Sequence, residues 1–290
     1  MTTLIAWAAI DENNTSAIYM ASDSRLSWDK YGTWDAGRKI FASENYPEIL
    51  GYTGDALFCS QVLSQVIAFI DSCASLENAP DFSSKYELVE SLIKRAFSSY
   101  PQQFCLPTFS ILYLTRIGRQ WGACTFNWEA NTGWSNKLVH NIPMTWKEVK
   151  EKGNDKNIQS RAVIFVSAGS GGAKFREFYS TSEWSSKLPL LSRGIFGAFS
   201  DFIETSTEPT RDPLTGGMPQ LCGLYRNKEA VKIGFVQDNA RYLYGISVSP
   251  EDYQGDVRWV NRTFENCAPL TGTLIPGEQR QPAPYFKSTR

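Results

Sequence analysis

The chain has 290 residues, 42% of them hydrophobic, enough to build the core of one large domain or two modest ones. Its 29 lysines and arginines nearly balance its 30 aspartates and glutamates, and the net charge of −1 lacks the basic surplus of a nucleic-acid binder. No apolar run approaches the roughly 20 residues that span a bilayer and no basic, apolar leader opens the sequence, so a cytoplasmic protein without a membrane partner is expected. The six cysteines, Cys59, Cys73, Cys105, Cys124, Cys222 and Cys267, show no paired metal-ligand spacing and read as buried thiols of a reducing compartment. The single histidine, His140, reads as a surface residue. One histidine leaves little room for a histidine-based triad or a multi-histidine metal site, and neither metal nor cofactor is expected.

In chain order, Leu4 to Ile10 and Ala17 to Ala21 are apolar and branched around a polar run, the pattern of a β-hairpin. Leu26 to Ala36 mixes Trp28, Tyr31 and Trp34 with glycine and charges and reads as a loop with packed aromatics. Lys39 to Phe41 and Ile49 to Tyr52 read as short strands. Apolar residues at helical spacing from Cys59 to Ile70 and from Leu88 to Phe97 predict two amphipathic helices, the second closed by Pro101. Thr108 to Thr115 and Gln120 to Phe126 form another hairpin pattern. Residues 127–161 turn polar, with Trp128, Trp134 and Trp146 and a lysine-rich patch at 147–156, and read as an insertion. Ala162 to Val166 is a continuous apolar run typical of a buried strand. It leads into Ala168-Gly169-Ser170-Gly171-Gly172, and helices are expected from about Ala173 and over Arg193 to Thr205. Three short strands come next at Leu221 to Tyr225, Ala230 to Val236 and Arg241 to Val248. The division expected is a domain over 1–250 carrying the insertion, then an extension over 251–290 that wraps over the surface or a partner.

The chemistry suggested by these residues starts at Thr2. A threonine hydroxyl keeps its proton near neutral pH and needs a neighbour to accept it. Removal of Met1 would give Thr2 a free α-amine, titrating near about 8 when unperturbed and lower beside a cation, so one residue would hold both nucleophile and base. A Met-Thr start alone says almost nothing. The order of elements along the rest of the chain is more specific: a strand from Thr3, a strand ending in Asp23-Ser24-Arg25, a lysine at Lys39 inside an apolar segment, Gly51-Tyr52-Thr53-Gly54, then Gly169-Ser170-Gly171-Gly172 and Asp212-Pro213-Leu214-Thr215-Gly216-Gly217.

Over roughly 2–248 this series resembles the β subunits of the proteasome and the bacterial HslV peptidase, members of the N-terminal-nucleophile hydrolases. The resemblance implies an α+β fold, a four-layer αββα sandwich of two antiparallel sheets between helical layers. It also implies a threonine-type peptidase acting on peptides or unfolded protein, assembled as a homo-oligomeric ring and compatible with an ATPase partner. Position by position, Thr2 takes the place of the terminal threonine, Lys39 that of the lysine that depresses the amine pKa, and Asp23 that of the lysine's partner. Gly54 falls where a backbone N–H stabilises the oxyanion, and Tyr52, two residues earlier, where a residue shapes the substrate pocket. Ser170 falls near the terminal amine, and Asp212 and Thr215 match an aspartate and serine pair, with threonine in place of serine.

Each position has a plainer reading. Lys39 could be a solvated surface lysine, Gly54 a turn glycine, Asp212 a turn aspartate, and the glycine-rich turn a phosphate cradle, although neither the Walker lysine spacing nor the full dinucleotide pattern is present. Two other functions stay open from sequence: an amidase of small amides working outside a chamber, and a non-catalytic scaffold like the proteasome α subunits. The long loop before Lys39, the polar insertion and Pro213 directly after Asp212 depart from the family pattern.

Overall fold

A computed structural model describes residues 2–11, 14–28, 31–73, 76, 78–139, 142, 161–206, 208, 212–249, 251 and 256–278. His140, Trp146 and the 147–156 lysine patch lie outside the described residues.

Nearly continuous apolar runs, buried on both faces, make β1 (Leu4–Asp11) and β2 (Asn14–Ser22) a hairpin with register Leu4↔Ser22. Two two-residue strands, β3 (Leu26–Ser27) and β4 (Thr33–Trp34), form a small separate sheet inside the segment expected to be a loop. β5 (Ile40–Ala42) and β6 (Glu48–Thr53) then open a five-stranded sheet. Helix α1 (Ala56–Ser72) is capped by Asp55, whose carboxylate accepts from Phe58 N at 2.7 Å, and α2 (Phe82–Ser98) by Asp81. These carboxylates satisfy amides that the first helical turn leaves without partners.

The five-stranded sheet is completed by β7 (Thr108–Ile117), β8 (Gln120–Glu129) and β9 (Gly133–Leu138). The start of the segment expected to be an insertion is therefore sheet. Trp128 and Trp134 draw it in, packing with Phe97 at ring separations of 4.5 and 5.2 Å, and aromatic burial outweighs the polar composition around them.

β10 (Arg161–Ala168) returns the chain beside β1, and α3 (Gly172–Thr181), the short α4 (Glu183–Lys187) and α5 (Ser192–Glu204) come after it. β11 (Gln220–Tyr225), β12 (Lys228–Gln237), β13 (Ala240–Leu243) and β14 (Ile246–Val248) extend an eight-stranded sheet ordered β10-β1-β2-β11-β12-β13-β14. Its eighth strand, β15 (Arg258–Val260), pairs parallel with β12. Part of the expected extension thus joins the sheet, and Phe264 packs edge-on against Tyr19 at 5.1 Å.

Three large apolar clusters, and a small fourth around Val236, Trp259 and Cys267, hold these elements. One lies between α3, α5 and the eight-stranded sheet, around Trp7, Phe196, Phe199 and Phe202. Another lies between α1, α2 and the five-stranded sheet, around Phe58, Ile93 and Tyr113. Leu4, Met20, Ile49, Leu112 and Leu224 fill the third, where the two larger sheets face each other. Each fully buried side chain of this size contributes roughly 1.5–3 kcal/mol.

The expected four-layer αββα sandwich is corrected. The molecule is mostly β: fifteen strands in three sheets, antiparallel apart from the β12/β15 pair, against five α-helices among the described residues. Apolar periodicity located the longer helices, but the polar 127–138 segment and the tail, which carry no helical or clear strand period, both go into sheets. No described helix is long and apolar enough to cross a membrane.

Candidate functional site

The register of the large sheet brings four chain segments together at one end. Leu4 pairs with both Ser22 and Ala168, and Ser22 pairs with Gln220. The residues just beyond these pairs are Thr2 and Thr3, Asp23 to Arg25, Gly169 to Gly171 and, before β11, the 212–217 turn.

Asp23 is fully buried and is the hub of this end. Its Oδ1 accepts from Lys39 Nζ at 2.9 Å and from Thr3 N at 3.0 Å. Its Oδ2 accepts from Gly216 N at 3.1 Å and Arg25 N at 3.2 Å. A buried carboxylate is tolerated only with such a donor set, because desolvation alone would cost several kcal/mol. Lys39 is also fully buried. Burial pulls its ammonium pKa below the ordinary lysine value and the Arg25 charge adds to that, while Asp23 and Asp212 pull it back up. The solvated reading of Lys39 is excluded.

A second chain of hydrogen bonds meets the first at Thr3. Thr3 Oγ1 and Thr215 Oγ1 lie 2.5 Å apart, Thr215 Oγ1 donates to Asp212 Oδ2 at 3.0 Å, and Ser170 Oγ donates to the same oxygen at 2.7 Å. Asp212 thus orders two hydroxyls, and the plain turn-aspartate reading is too small for it. The glycine turn permits this closeness. A methyl group on Gly171 would overlap Thr3 Oγ1 and lie 2.8 Å from Thr215 Oγ1, and one on Gly169 would overlap the Thr2 carbonyl oxygen. Thr2 itself is 1% exposed, with Thr53 Cγ2 on the same side of Gly169.

Arg25 closes the outer side. It makes paired bonds to Asp35 at 2.7 and 2.8 Å and donates to the carbonyls of Pro213 and Thr215 at 3.1 and 3.3 Å. Pro213, a departure from the expected pattern, is accommodated because only its carbonyl is used. The Arg25 hydrogen bonds hold the Asp35 carboxyl below its ordinary pKa.

The structure therefore gathers Thr2, Asp23, Lys39, Ser170, Asp212 and Thr215. Gly54 follows Thr53 nearby, with φ +95° and the Thr108 and Phe109 backbone against its Cα, so local packing already requires glycine there. Tyr52 is placed differently from the expectation. On β6, Gly51 faces Met20 and Leu4 of the other sheet, whereas Leu50 and Tyr52 belong to the helix-side core, as alternation along a strand dictates. Tyr52 is 1% exposed and donates to Arg38 O at 3.2 Å, so it fills space instead of lining an open pocket. Sequence reasoning missed Thr3 and Gln220. Thr3 carries a signal, a second hydroxyl beside the proposed nucleophile; Gln220 carries none, because one glutamine at a strand start is unremarkable in sequence.

No protein-family model matches the chain, and no curated protein matches it. Among solved structures it is similar to the Anbu (Gly-1) mutant from Hyphomicrobium sp. strain MC1, at 10% identity and a TM-score of 0.45, over 79% of this chain and 82% of that one. The expected membership of the proteasome β-subunit and HslV peptidase family is corrected by the mostly β architecture. A likeness this remote carries no function, and the chemistry of the site rests on its own residues.

Proposed function

We propose that the chain is a hydrolase of amide bonds, acting as a threonine peptidase with Thr2 as nucleophile once the Met1–Thr2 bond has been cleaved. The observation that carries this reading is the shared oxygen of Asp23, which accepts from a buried lysine and from the amide joining Thr2 to Thr3. A buried ammonium held one residue from a threonine amine and hydroxyl favours the neutral amine and the alkoxide that forms on attack.

In this reading Thr2 Oγ1 attacks the substrate carbonyl and gives its proton to the Thr2 amine. The tetrahedral intermediate collapses to an ester as the amine passes the proton to the leaving nitrogen. A water then attacks the ester, with the same amine as base, and returns Thr2 and a carboxylic acid. Lys39 stabilises negative charge on Thr2 Oγ1, and Asp23 fixes Lys39. Asp212, Ser170 and Thr215 order the Thr3 hydroxyl beside the nucleophile, Asp23 holds the Thr3 backbone, and Gly54 N–H is the proposed oxyanion donor.

The experiment compares Met1-free and Met1-bearing protein, verified by intact mass, on fluorogenic peptides, an unfolded protein and small amides. Only the trimmed form should hydrolyse peptides and be labelled on Thr2 by a peptide boronate, and Thr2→Ala should be inactive. Equal hydrolysis by Thr2→Ala or by Met1-bearing protein overturns the mechanism. Cleavage of small amides with unfolded protein untouched replaces the peptidase reading with an amidase.

A further inference from the structure

We propose that Gln220 is a positioning residue of this site, a side-chain brace that sets the backbone of Lys39 against that of Asp23. The inference rests on the reading of Thr2 as nucleophile. Gln220, at the start of β11, is 1% exposed, so its amide must find partners inside the protein. Its Oε1 accepts from Lys39 N at 2.9 Å, and its Nε2 donates to Gly37 O at 2.6 Å and to Asp23 O at 3.4 Å. The two residues it ties by their backbones are the two whose side chains form the buried ion pair.

The need for such a brace comes from the chain path. Residues 37–39 lie outside any strand, and the β5/β6 ladder begins only at Ile40↔Gly51. Gly37 N reaches Ser24 O at 2.8 Å, and the Gln220 amide serves Gly37 O and Lys39 N in place of a strand neighbour. Gly37 and Lys39 are both buried, so without it Gly37 O and Lys39 N would lose these partners away from water. Lys39 reaches Asp23 from a segment with little other regular pairing, and a small shift there moves the ammonium.

The test uses full-length, Met1-free protein and two variants, Gln220→Leu and Gln220→Glu. Leucine removes all three bonds. Glutamate keeps an acceptor for Lys39 N, loses both donors and adds an anion to a neighbourhood already holding Asp23, Asp212, Arg25 and, further out, Asp35. Both should lower kcat on peptides roughly 10- to 100-fold with KM little changed, the scale of loss from a misplacement of about 1 Å. Gln220→Glu should also move the acid limb of the pH–rate profile upward, because another anion holds the protons of Lys39 and the Thr2 amine more tightly. A readout independent of turnover is the NMR titration of the Lys39 ε-methylene, which should move toward the ordinary lysine value in Gln220→Leu as the displaced ammonium gains water. Folded Gln220→Leu with wild-type kcat and an unchanged Lys39 titration overturns the proposal. If that variant does not fold, wild-type kcat in Gln220→Glu overturns it. If wild type and Thr2→Ala hydrolyse peptides alike, the nucleophile reading fails, while the Lys39 titration still decides the role of Gln220.

Discussion

Among the described residues, the pairs Lys39–Asp23 and Lys85–Glu48 each bury a lysine against a carboxylate, and they illustrate how little a buried ion pair says by itself. Lys85 Nζ sits 2.5 Å from Glu48 Oε1, much as Lys39 Nζ sits 2.9 Å from Asp23. The differences lie in what completes each pair. Asp23 receives three backbone amides besides the lysine, from Thr3, Arg25 and Gly216, whereas Glu48 receives the Tyr113 hydroxyl at 2.5 Å. Burial pushes the Glu48 carboxyl up and Lys85 pulls it back, the behaviour of a charge accommodated inside a packed interface. Lys85 lies on the buried stripe of α2 with Val89, Ile93 and Phe97, and its pair ties that helix to β6 and β7. Lys39 lies instead where glycine turns bring in Thr2, Thr3 and Asp212. What separates the candidate site from the Lys85–Glu48 pair is the carboxylate partner's bond to the Thr2–Thr3 amide, rather than burial.

The strongest way to break this comparison is to remove each lysine in turn. Lys39→Met should cost about 10²- to 10⁴-fold in peptide hydrolysis, the range for loss of a group assisting proton transfer, with the fold kept because Asp23 retains its three amides. Lys39→Arg should be nearly as impaired, because a guanidinium has a different shape and keeps its proton. Lys85→Met should leave hydrolysis per folded molecule unchanged. Similar kinetic losses from the two methionine variants would erase the distinction.

Stability should divide them the other way. Lys85→Met leaves Glu48 buried without its cation and should cost about 3–5 kcal/mol by urea unfolding, and adding Glu48→Gln should recover most of that. A double variant no more stable than the single one would mean that packing, and not charge, dominates there.

A finer test uses pH. The folded protein holds Lys39 below its ordinary value of 10.5. Between the two pKa values the unfolded chain binds this proton and the folded chain does not, so the group makes stability rise with pH across that window. Subtracting the Lys39→Met unfolding curve from wild type between neutral and alkaline pH should show this rise, and a flat or falling difference would contradict burial as the dominant influence on Lys39. The smallest effect is expected from Tyr52→Phe, about 1 kcal/mol for one lost hydrogen bond, with peptide selectivity unchanged. Altered selectivity would return Tyr52 to the substrate pocket.

Much of this was legible in the residues alone, and the reason is local. Apolar, branched runs and helical spacing announce strands such as Leu4 to Ile10 and helices such as Cys59 to Ile70 because neighbours in sequence decide them. A hydroxyl at Thr2, a carboxylate after β2, a lysine in an apolar segment and two glycine turns mark a chemical constellation by type and order. What only tertiary structure decided depends on register and on faces. Whether Tyr52 lines a pocket or fills a core turns on which side of β6 it occupies; whether 127–138 is loop or strand turns on Trp128 and Trp134 finding Phe97. That Lys39 and Lys85 are both buried against carboxylates, and which carboxylate each reaches, is decided by the packing alone. The same holds for Gln220, whose amide gains meaning only where β11 carries it between Asp23 and Lys39. Long-range pairing sets these outcomes, and no window of sequence contains both partners.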